Sequence, residues 1–439
     1  MDANAFRLSL YLPAQGAAES EATIIEWCVS EGDHFEKGQV LAQVDSAKSV
    51  FDFEAPCSGR LIRLLHLEGE TVPYDKPVME IETADSSMKD WIPPAATAAE
   101  AGFLPAVHSA ARSREETAKT AAVLGLGSYL PERVVTNEEL VENFPEITAD
   151  YVYQVTGIRE RRWADDDEKP SDMAYAASLE AIRKSGIATK DIDAIILATT
   201  TPDVAMPSTA CILQDRLNLG TIPAFDVNAA CSGWLYAVSL ARGMIFSGMA
   251  RNVLTVGVDV QSRLLDRSDR NTCFIFGDAA GAAIISGGQN GHRIREVVLG
   301  ADTRGLHMAR RDEPGYLVAN GYTNIDPWIR MDGQSLFRFA TESFAAIIRD
   351  AIAKSGWSAN ETRWIIPHQA NGRILKAAAK RSGVPFQRFY LNVERVGNTS
   401  SASIPVALIE VEDTLQPGDK LILCSVGAGV TTAAASIEW

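Results

Sequence analysis

The sequence has little that would suit a metal centre or a disulfide framework. Its six cysteines and six histidines are dispersed, and no two cysteines form a C-x-x-C pair. That spacing argues against a zinc site and against disulfides, and it is typical of a reducing compartment. No apolar run has the length that spans a bilayer, and the N-terminus has no basic segment before an apolar core. We therefore expect a cytoplasmic protein without a metal ion and without a membrane segment.

Positive charge is scarce as well. The 439 residues carry a formal net charge of −16, which disfavours nucleic acid as a partner. Residues 1–85 alone hold sixteen Asp and Glu against six Lys and Arg. Residues 86–119 are rich in Ala, Pro and Ser and lack periodicity, which predicts a flexible linker. An acidic module is thus joined to a nearly balanced body, residues 120–439.

An internal repeat lies within the acidic module. Residues 22–33 match 59–70, and residues 39–47 match 76–84, both at an offset of 37 residues. Each copy alternates apolar and polar residues and has a glycine at a turn, which predicts two units of short strands. We expect a small all-β sandwich with pseudo-twofold symmetry, with Lys48 at the hairpin that joins its halves.

After the linker, apolar strands alternate with amphipathic helices. This pattern predicts an α/β body in which helices cover buried strands. Residues 190–203 and 360–373 share the order of polar residues, a strand and a polar loop. This repeated pattern indicates two similar halves, about residues 120–290 and 291–439. The glycines of "GLGSYLP" lack the strand–GxGxxG–helix context of a dinucleotide site, so we expect no nucleotide cofactor.

Three residues that can do chemistry lie where strands end. Cys231 follows an apolar strand and precedes a helix, whose N-terminus favours the nucleophilic thiolate. His368 ends another strand, and Asn398 lies in a Gly-Asn-Thr-Ser turn before a helix. Taken singly, each is more often structural: a buried cysteine, a hydrogen-bonded histidine, a turn-forming asparagine. The loop 427–429 offers backbone N–H groups for an oxyanion hole.

Seven motifs occur in order across the body: "TGIRERRW", "ATTTPDVAMPSTACILQ", "AFDVNAACSGWLYA", "IFGDAAGAAI", "PHQANGRI", "VGNTSSASIPVAL" and "VGAGVTT". Together they resemble the β-ketoacyl-acyl carrier protein synthase III family of the thiolase-like superfamily. The resemblance implies an α/β fold with a layered αβαβα body made of two similar halves, and a homodimer. It also implies that Cys231, His368 and Asn398 converge on the end of a pantetheine tunnel.

The function that this resemblance implies is a decarboxylative Claisen condensation, which needs no cofactor. An acyl primer is loaded as a thioester on Cys231, and malonyl-acyl carrier protein loses CO2 and attacks it to give a 3-oxoacyl-acyl carrier protein. His368 and Asn398 stabilise the enolate as neutral donors. An asparagine at 398, rather than a second histidine or cysteine, indicates the initiating class. Backbone N–H groups of Cys231 and Gly427–Gly429 would receive the second oxyanion.

Substrate contacts follow the resemblance less closely. Tyr151 stands where family members stack a tryptophan on the CoA adenine, and Val155 stands where they carry an arginine. Arg270 matches the other side of that clamp, and Met206 matches the position of an acyl-pocket residue. These departures leave acyl-CoA and another carrier open as the source of the primer.

A basic helix face follows the His368 loop. Arg373, Lys376 and Lys380 recur at helical spacing, an arrangement that is also common on solvated surfaces. In the family, the position of Arg373 lies at the dock for the acidic acyl carrier protein. We predict that Arg338 adds to this dock.

The acidic module, over about residues 5–84, resembles a lipoyl/biotinyl attachment domain, a barrel-sandwich hybrid. Gly32 lies sixteen residues before Lys48 and Gly59 eleven after, the spacing that frames a lipoyl-lysine in that family. Biotin domains carry methionine on both sides of the lysine, and this sequence does not. The resemblance favours lipoyl over biotin on Lys48, with an unmodified docking module as the alternative. Our hypothesis is that acyl-lipoyl on Lys48 hands its acyl group to Cys231.

Two other functions compete with condensation. An acyltransferase would keep the acyl-Cys231 intermediate without decarboxylation. A non-catalytic scaffold or partner subunit of a synthase would use neither step.

Overall fold

A computed structural model describes residues 5–13, 21–46, 50–74, 76–88, 120–288, 290–312, 318–321, 323 and 325–439. The chain divides into two compact units, Met1–Ala110 and Ala111–Trp439. Most of the predicted linker falls outside the described residues, so its boundaries stay predictions. Among the helices of the described ranges, none is long and apolar enough to cross a membrane.

The first unit consists of short β-strands in two antiparallel sheets. The strands are β1 (Phe6–Tyr11), β2 (Glu21–Trp27), β3 (His34–Phe35), β4 (Val40–Asp45), β5 (Val50–Glu54), β6 (Gly59–Leu64), β7 (Thr71–Pro73) and β8 (Pro77–Thr83). One sheet has the order β1-β8-β6-β3, and the other has the order β5-β4-β2-β7. The two orders are equivalent, which matches the sequence repeat and confirms the predicted pseudo-twofold sandwich.

The period of two along each strand explains why these residues form a sandwich. In β2 and β4, Ile24 and Val44 are fully buried, whereas their neighbours Ile25 and Gln43 face solvent. The inward residues of both sheets meet in one apolar core. Each fully buried Ile or Leu side chain contributes about 1.5–3 kcal/mol to the stability of the unit.

The second unit contains a mixed sheet and two small ribbons. Its strands are β9 (Ala121–Tyr129), β10 (Val134–Thr136), β11 (Glu160–Arg162), β12 (Ala194–Ala198), β13 (Ala224–Val227), β14 (Asn252–Asp259), β15 (Ala279–Gly287), β16 (His292–Ala301), β17 (Ala309–Arg310), β18 (Arg330–Met331), β19 (Thr362–Pro367), β20 (Lys420–Gly427) and β21 (Thr431–Glu438). The large sheet has the order β13-β12-β14-β15-β9-β16-β21-β20-β19. The ribbons pair β10 with β11 and β17 with β18.

The helices of this unit pack on the two faces of this sheet or beside the small β10–β11 ribbon. They are α1 (Asn137–Val141), α2 (Ala149–Thr156), α3 (Pro170–Ser185), α4 (Thr209–Arg216), α5 (Gly233–Ser247), α6 (Gly333–Ser355), α7 (Gly372–Ser382), α8 (Val393–Val396) and α9 (Ser403–Glu412). The apolar residues of α5 and α9 form a central core with strands of both halves. Helices α3 and α4 cover the outer face of one half, and α6 and α7 cover the other. The layers therefore alternate as αβαβα, as expected.

The sheet itself shows the two similar halves. Strands β9-β15-β14-β12 of the first half correspond in order to β16-β21-β20-β19 of the second. The halves join where β9 pairs with β16 over three residues, from His292 opposite Val123 to Ile294 opposite Ala121.

Sequence patterns do not predict two strands that the second half contributes to the large sheet, β16 and β21. We read the C-terminal "VTTAAAS" as part of a glycine loop, whereas β21 runs through it, and β16 was not anticipated. The residues of β21 are mostly small, with weak β-propensity, and pairing with β16 and β20 on both sides decides their conformation.

Candidate active site

Cys231 lies in a tight turn between a strand and a helix. The turn, Ala230–Ser232, is a single 3-10 turn after β13, and α5 begins at the next residue. Ala230 adopts a positive φ of 48°, an uncommon conformation for a residue with a side chain. The Ser425 hydroxyl donates to the Cys231 carbonyl oxygen at 2.9 Å. These features fix the position of the thiol at the N-terminus of α5.

The protonation state of this thiol differs from the sequence expectation. Burial raises the pKa of Cys231 to about 12, and the Ser400 hydroxyl, 3.7 Å from Sγ, lowers it only in part. A thiol with this pKa is protonated at neutral pH, although a helix N-terminus favours thiolate. Desolvation by burial is the largest cause of the shift and outweighs the Ser400 hydrogen bond.

His368 follows the end of β19 and is almost completely buried. Its backbone N–H donates to the Cys424 carbonyl oxygen at 2.7 Å, which continues the pairing of β19 with β20. Burial lowers the pKa of His368 to about 3, so the imidazole is neutral at physiological pH. Within the described residues, its buried Nδ1 has no hydrogen-bond partner. A neutral ring with an unpartnered Nδ1 can carry its proton on Nε2 and donate from there.

The neighbouring Gln369 holds the His368 loop in place. Its Nε2 donates to the carbonyl oxygens of Pro367 and Tyr390, at 2.9 and 3.1 Å. Its Oε1 accepts the backbone N–H groups of Asn392 and Val393. Gln369 is not among the residues predicted from the sequence. Its position next to the candidate histidine is the one sequence feature that indicates a role at the site.

Asn398 is oriented by the turn that contains it. Its backbone N–H donates to the Ile275 carbonyl oxygen at 2.9 Å, and its carbonyl oxygen accepts from Gly277. Its side-chain Oδ1 accepts the Ser400 backbone N–H at 2.9 Å. Because the oxygen of the amide is occupied, the Nδ2 group is the one that remains to donate into the cavity. Ser400 has a positive φ of 50°, which this short turn requires.

A buried carboxylate that sequence analysis did not single out ties these turns together. Asp259, at the end of β14, accepts Thr200 N–H and Oγ1–H on Oδ1, at 2.7 and 2.8 Å. Its Oδ2 accepts Ser401 N–H and Oγ–H, at 3.0 and 2.6 Å. The loop after β12 and the turn beside Cys231 are therefore joined through one residue. In the sequence, the feature that could have indicated this role is the position of Asp259 as a single carboxylate at the end of an apolar strand.

The predicted oxyanion loop approaches Cys231 closely. A Cβ atom on Gly427 would lie 2.9 Å from the Cys231 backbone nitrogen, so only glycine fits there without a shift. Gly427, Ala428 and Gly429 all line the same cavity as Cys231. The backbone of Cys231 and the backbone of the loop 427–429 therefore lie next to each other at the same cavity.

One cavity of about 800 Å³ unites the predicted catalytic residues. Cys231, His368 and Asn398 lie in its wall together with Ser400. Most of the remaining wall is apolar, with side chains from Leu264, Ile275, Phe276, Leu306, Ile329, Leu336, Phe337 and Phe344. A thiol, a neutral histidine and an amide donor thus share a largely apolar site, where dipoles act strongly on developing charge.

The predicted CoA and acyl contacts do not line this cavity. Tyr151 is 54% exposed and Met206 is 87% exposed, and neither they nor Arg270 belong to the cavity wall. Val155, one helical turn after Tyr151 on α2, does line it, and so does Asn271, next to Arg270. Tyr151 and Arg270 are therefore neighbours of cavity-lining residues, whereas Met206 is not among the residues that line the cavity.

The predicted docking residues lie on two neighbouring helices, and one of the four, Arg373, lines the cavity. Helices α6 and α7 pack against each other and carry Arg338 on the first and Arg373, Lys376 and Lys380 on the second. All four side chains are exposed, and within the described ranges none forms an ion pair with a carboxylate. Arg373 also reaches the cavity wall and lies over the Phe337 ring.

No cluster of three or more His, Cys, Asp or Glu side chains that could hold a metal ion occurs in the described part of the chain. Lys48 lies outside the described residues. Of the strands on either side of it, β4 and β5 form an antiparallel pair with Asp45 opposite Val50.

Comparison with known families assigns both units. Residues 225–303 match the family described as 3-oxoacyl-[acyl-carrier-protein (ACP)] synthase III, and residues 352–439 match its C-terminal region. Residues 9–81 match a biotin/lipoyl family described as biotin-requiring enzyme.

Individual relatives cover the whole second unit. The β-ketoacyl-[acyl-carrier-protein] synthase III of Fusobacterium nucleatum is 38% identical over 322 residues, or 72% of this chain and 98% of that protein. The enzyme of the same name from Staphylococcus saprophyticus is 40% identical over 320 residues, with 72% and 98% covered. The crystal structure of 3-oxoacyl-[acyl-carrier-protein] synthase III from Aquifex aeolicus superposes with a TM-score of 0.68 at 36% identity, covering 73% of this chain and 100% of that one.

Proposed function

Because the chain belongs to the 3-oxoacyl-[acyl-carrier-protein] synthase III family, we propose that it condenses an acyl primer with malonyl-acyl carrier protein to give a 3-oxoacyl-acyl carrier protein. The observation that carries the proposal is the shared cavity. It places the Cys231 thiol, the neutral His368 ring and the oriented Asn398 amide on one largely apolar wall. This set provides one nucleophile and two neutral donors.

The first step loads the primer. Cys231 Sγ attacks the thioester carbonyl carbon of the donor, the new carbon–sulfur bond forms, and the bond to the donor sulfur breaks. The thiol proton leaves with the donor thiol, so the exchange needs no net proton. Backbone N–H groups of Cys231 and Gly427–Gly429 stabilise the tetrahedral oxyanion.

The second step generates the carbon nucleophile. The malonyl C–C bond to the carboxylate breaks and releases CO2, and its electron pair forms an enolate on the thioester. His368 Nε2–H and Asn398 Nδ2–H donate to the enolate oxygen. The low pKa of His368 suits this role, because a neutral donor needs no proton from solution. The enolate carbon then attacks the acyl carbon, and the Cys231 thiolate leaves and takes a proton from solvent.

An assay with purified components tests the proposal. Wild-type protein, a short acyl-CoA and malonyl-acyl carrier protein should give CO2 and a 3-oxoacyl-acyl carrier protein in equal amounts. CO2 release and product mass are both measured. Acylation of Cys231 without CO2 release would favour the acyltransferase alternative, and the absence of both steps would favour a non-catalytic subunit.

The basic face on α6 and α7 supports the carrier protein as the malonyl donor. Its four cations, Arg338, Arg373, Lys376 and Lys380, are exposed beside the cavity, and acyl carrier proteins are acidic. A carrier docked there would deliver its pantetheine arm past Phe337. Tyr151 and Arg270 flank the cavity and are the residues of this chain that we propose for the CoA end of a primer donor.

Charge reversal at this face should weaken docking without harming chemistry. We expect Arg373→Glu to raise the KM for malonyl-acyl carrier protein about tenfold and to leave kcat within about twofold, since a surface charge acts mainly on encounter. Steady-state rates at low and high salt give both parameters. Lys354→Glu, on the far end of α6, is the matched control and should leave KM unchanged. An unchanged KM in Arg373→Glu would place the carrier dock elsewhere.

We also propose that Lys48 is an attachment site for lipoyl, with biotin less favoured. The described part of the β unit fits such a domain, because β4 and β5 pair on both sides of the lysine and residues 9–81 match the biotin/lipoyl family. A lipoyl group supplies a dithiol that can carry an acyl thioester. Its presence on this chain would give the primer a source other than CoA.

Mass spectrometry of the peptide that contains Lys48, from protein isolated from its native host, tests this proposal. We expect the mass increment of one lipoyl group. Another carrier protein of the same cells serves as the control for lipoylation. An unmodified lysine in cells that lipoylate that control would make the β unit a docking module, with Cys231 loaded by a diffusing thioester.

A homodimer is the assembly that we propose from the family. Strand β13 is the edge of the large sheet, and the exposed apolar side chains nearby in sequence include Val204, Met206 and Phe225. Since Met206 does not reach the cavity of its own chain, a role in an acyl pocket requires a second copy.

A further inference from the structure

Gln261 is a buried side chain in the cavity wall, and its amide oxygen has no hydrogen-bond partner among the described residues. Gln261 lies in a 3-10 turn directly after β14 and is 4% exposed. Its Nε2 donates to Thr200 Oγ1 at 2.8 Å. Both residues line the cavity that contains Cys231.

The hydrogen-bond chain fixes which way the Gln261 amide points. Thr200 donates its hydroxyl proton to Asp259 Oδ1 at 2.8 Å, so the Thr200 oxygen can only accept from Gln261. The NH2 group must therefore face Thr200, and Oε1 faces away from it. Across the described residues, this Oε1 has no hydrogen-bond partner, and it is not sealed off in the protein interior. It is a preoriented acceptor at the cavity surface.

Two other amides of the cavity wall have their side-chain oxygens engaged. Asn371 Oδ1 caps α7 by accepting from Arg373 and Ile374 N–H, and Asn228 Oδ1 accepts from Ala230 N–H. Among the described residues, the Gln261 oxygen accepts no hydrogen bond. Asn271 and Gln334 also line the cavity, but both are exposed to solvent, whereas Gln261 is buried. A ligand that supplies a donor to this oxygen gains a hydrogen bond in a mostly apolar wall, where such a bond is strong.

We propose that Gln261 selects a primer whose short acyl chain carries a hydroxyl group, which donates to Oε1. This inference rests on the proposed condensation and names its substrate class. A neutral donor fits best, because no Asp or Glu lines the described cavity wall to balance an ammonium group. A carboxylate on the primer would face the partial negative charge of Oε1. A site built to bond a hydroxyl also discriminates against the analogue that lacks it.

Loading of matched primers on Cys231 tests the inference. The probes are butanoyl-CoA, 3-hydroxybutanoyl-CoA and 4-hydroxybutanoyl-CoA, and the readout is kcat/KM for acyl-enzyme formation followed by mass spectrometry. For the wild type we expect one hydroxylated primer to exceed butanoyl-CoA at least about tenfold. In Gln261→Leu this preference should disappear or reverse, with butanoyl loading kept. Gln261→Met, of similar length, should behave in the same way and controls for packing.

The control variant is Gln334→Leu, which changes a glutamine at the exposed rim of the same cavity and should keep the hydroxyl preference. The inference is overturned if the wild type loads all three primers equally. It is also overturned if Gln261→Leu and Gln261→Met lose all primers equally, because the amide would then serve pantetheine or the fold. Condensation of butanoyl-CoA by the same wild-type sample tests the proposed function separately, so the two failures are distinguishable.

Discussion

Replacing Cys231 by serine should lower 3-oxoacyl product formation by at least about 10³-fold. A serine hydroxyl is far less acidic than the thiol, and the cavity provides no ionised base to activate it: His368 is neutral and buried. Release of CO2 from malonyl-acyl carrier protein should continue within about tenfold of the wild-type rate, since His368 and Asn398 remain. Product and CO2 are measured in the same reaction.

Cys211→Ser is the matched control for this variant. Cys211 is exposed on α4 and lies outside the cavity wall, so its replacement should leave both readouts unchanged. Product formation by Cys231→Ser at the wild-type rate would remove Cys231 from the mechanism. Loss of CO2 release together with product would mean that the cysteine also supports decarboxylation.

Replacing either of the two neutral donors should slow CO2 release and leave acylation of Cys231 intact. We expect His368→Ala and Asn398→Asp each to lower CO2 release about 10²–10³-fold, the range for the loss of one donor to a developing oxyanion. Asn398→Asp is nearly isosteric, and its carboxylate can still accept the Ser400 backbone N–H, so the turn keeps its shape. It cannot donate to the enolate oxygen. Acylation of Cys231 by the primer, followed by mass spectrometry, should persist in both variants.

The pH dependence gives a further readout of His368. Because burial lowers the pKa of His368 to about 3, the ring stays neutral as the pH falls from 8 to 5. We therefore expect no decrease in the rate of CO2 release from protonation of His368 in this range. His292→Ala controls for loss of a histidine; that ring stacks on Trp439, away from the cavity. A wild-type CO2 rate that falls with a midpoint near pH 6.5 would show that the ring titrates normally and is not the buried donor described above.

Local sequence was enough to predict most of the framework. The repeat at an offset of 37 residues predicted the two equivalent sheets, and apolar runs predicted strands such as β14 and β19. These elements follow from side-chain periodicity within a few residues. The strands β16 and β21 could not be found in that way, because their conformation depends on pairing with distant partners.

The candidate residues were recognisable from motifs, but their chemical states were not. The sequence placed Cys231 at a helix N-terminus, and that placement predicted a thiolate. Burial in the folded chain acts in the opposite direction and raises the pKa of this thiol to about 12. In the same way, nothing near Met206 in the sequence indicates that its side chain would be 87% exposed and outside the cavity.

The sequence by itself determined which groups are available: one cysteine, one histidine and one asparagine at strand ends, a glycine loop, and an acidic module with its own repeat. Only the tertiary structure decided what those groups can do. Ser400 reaches Cys231 across 169 residues of chain, and Asp259 joins Thr200 to Ser401 across the core. Desolvation keeps the His368 ring neutral, and the direction of the hydrogen bonds leaves the Gln261 oxygen free. Both effects arise from contacts between distant residues, so local sequence does not reveal them.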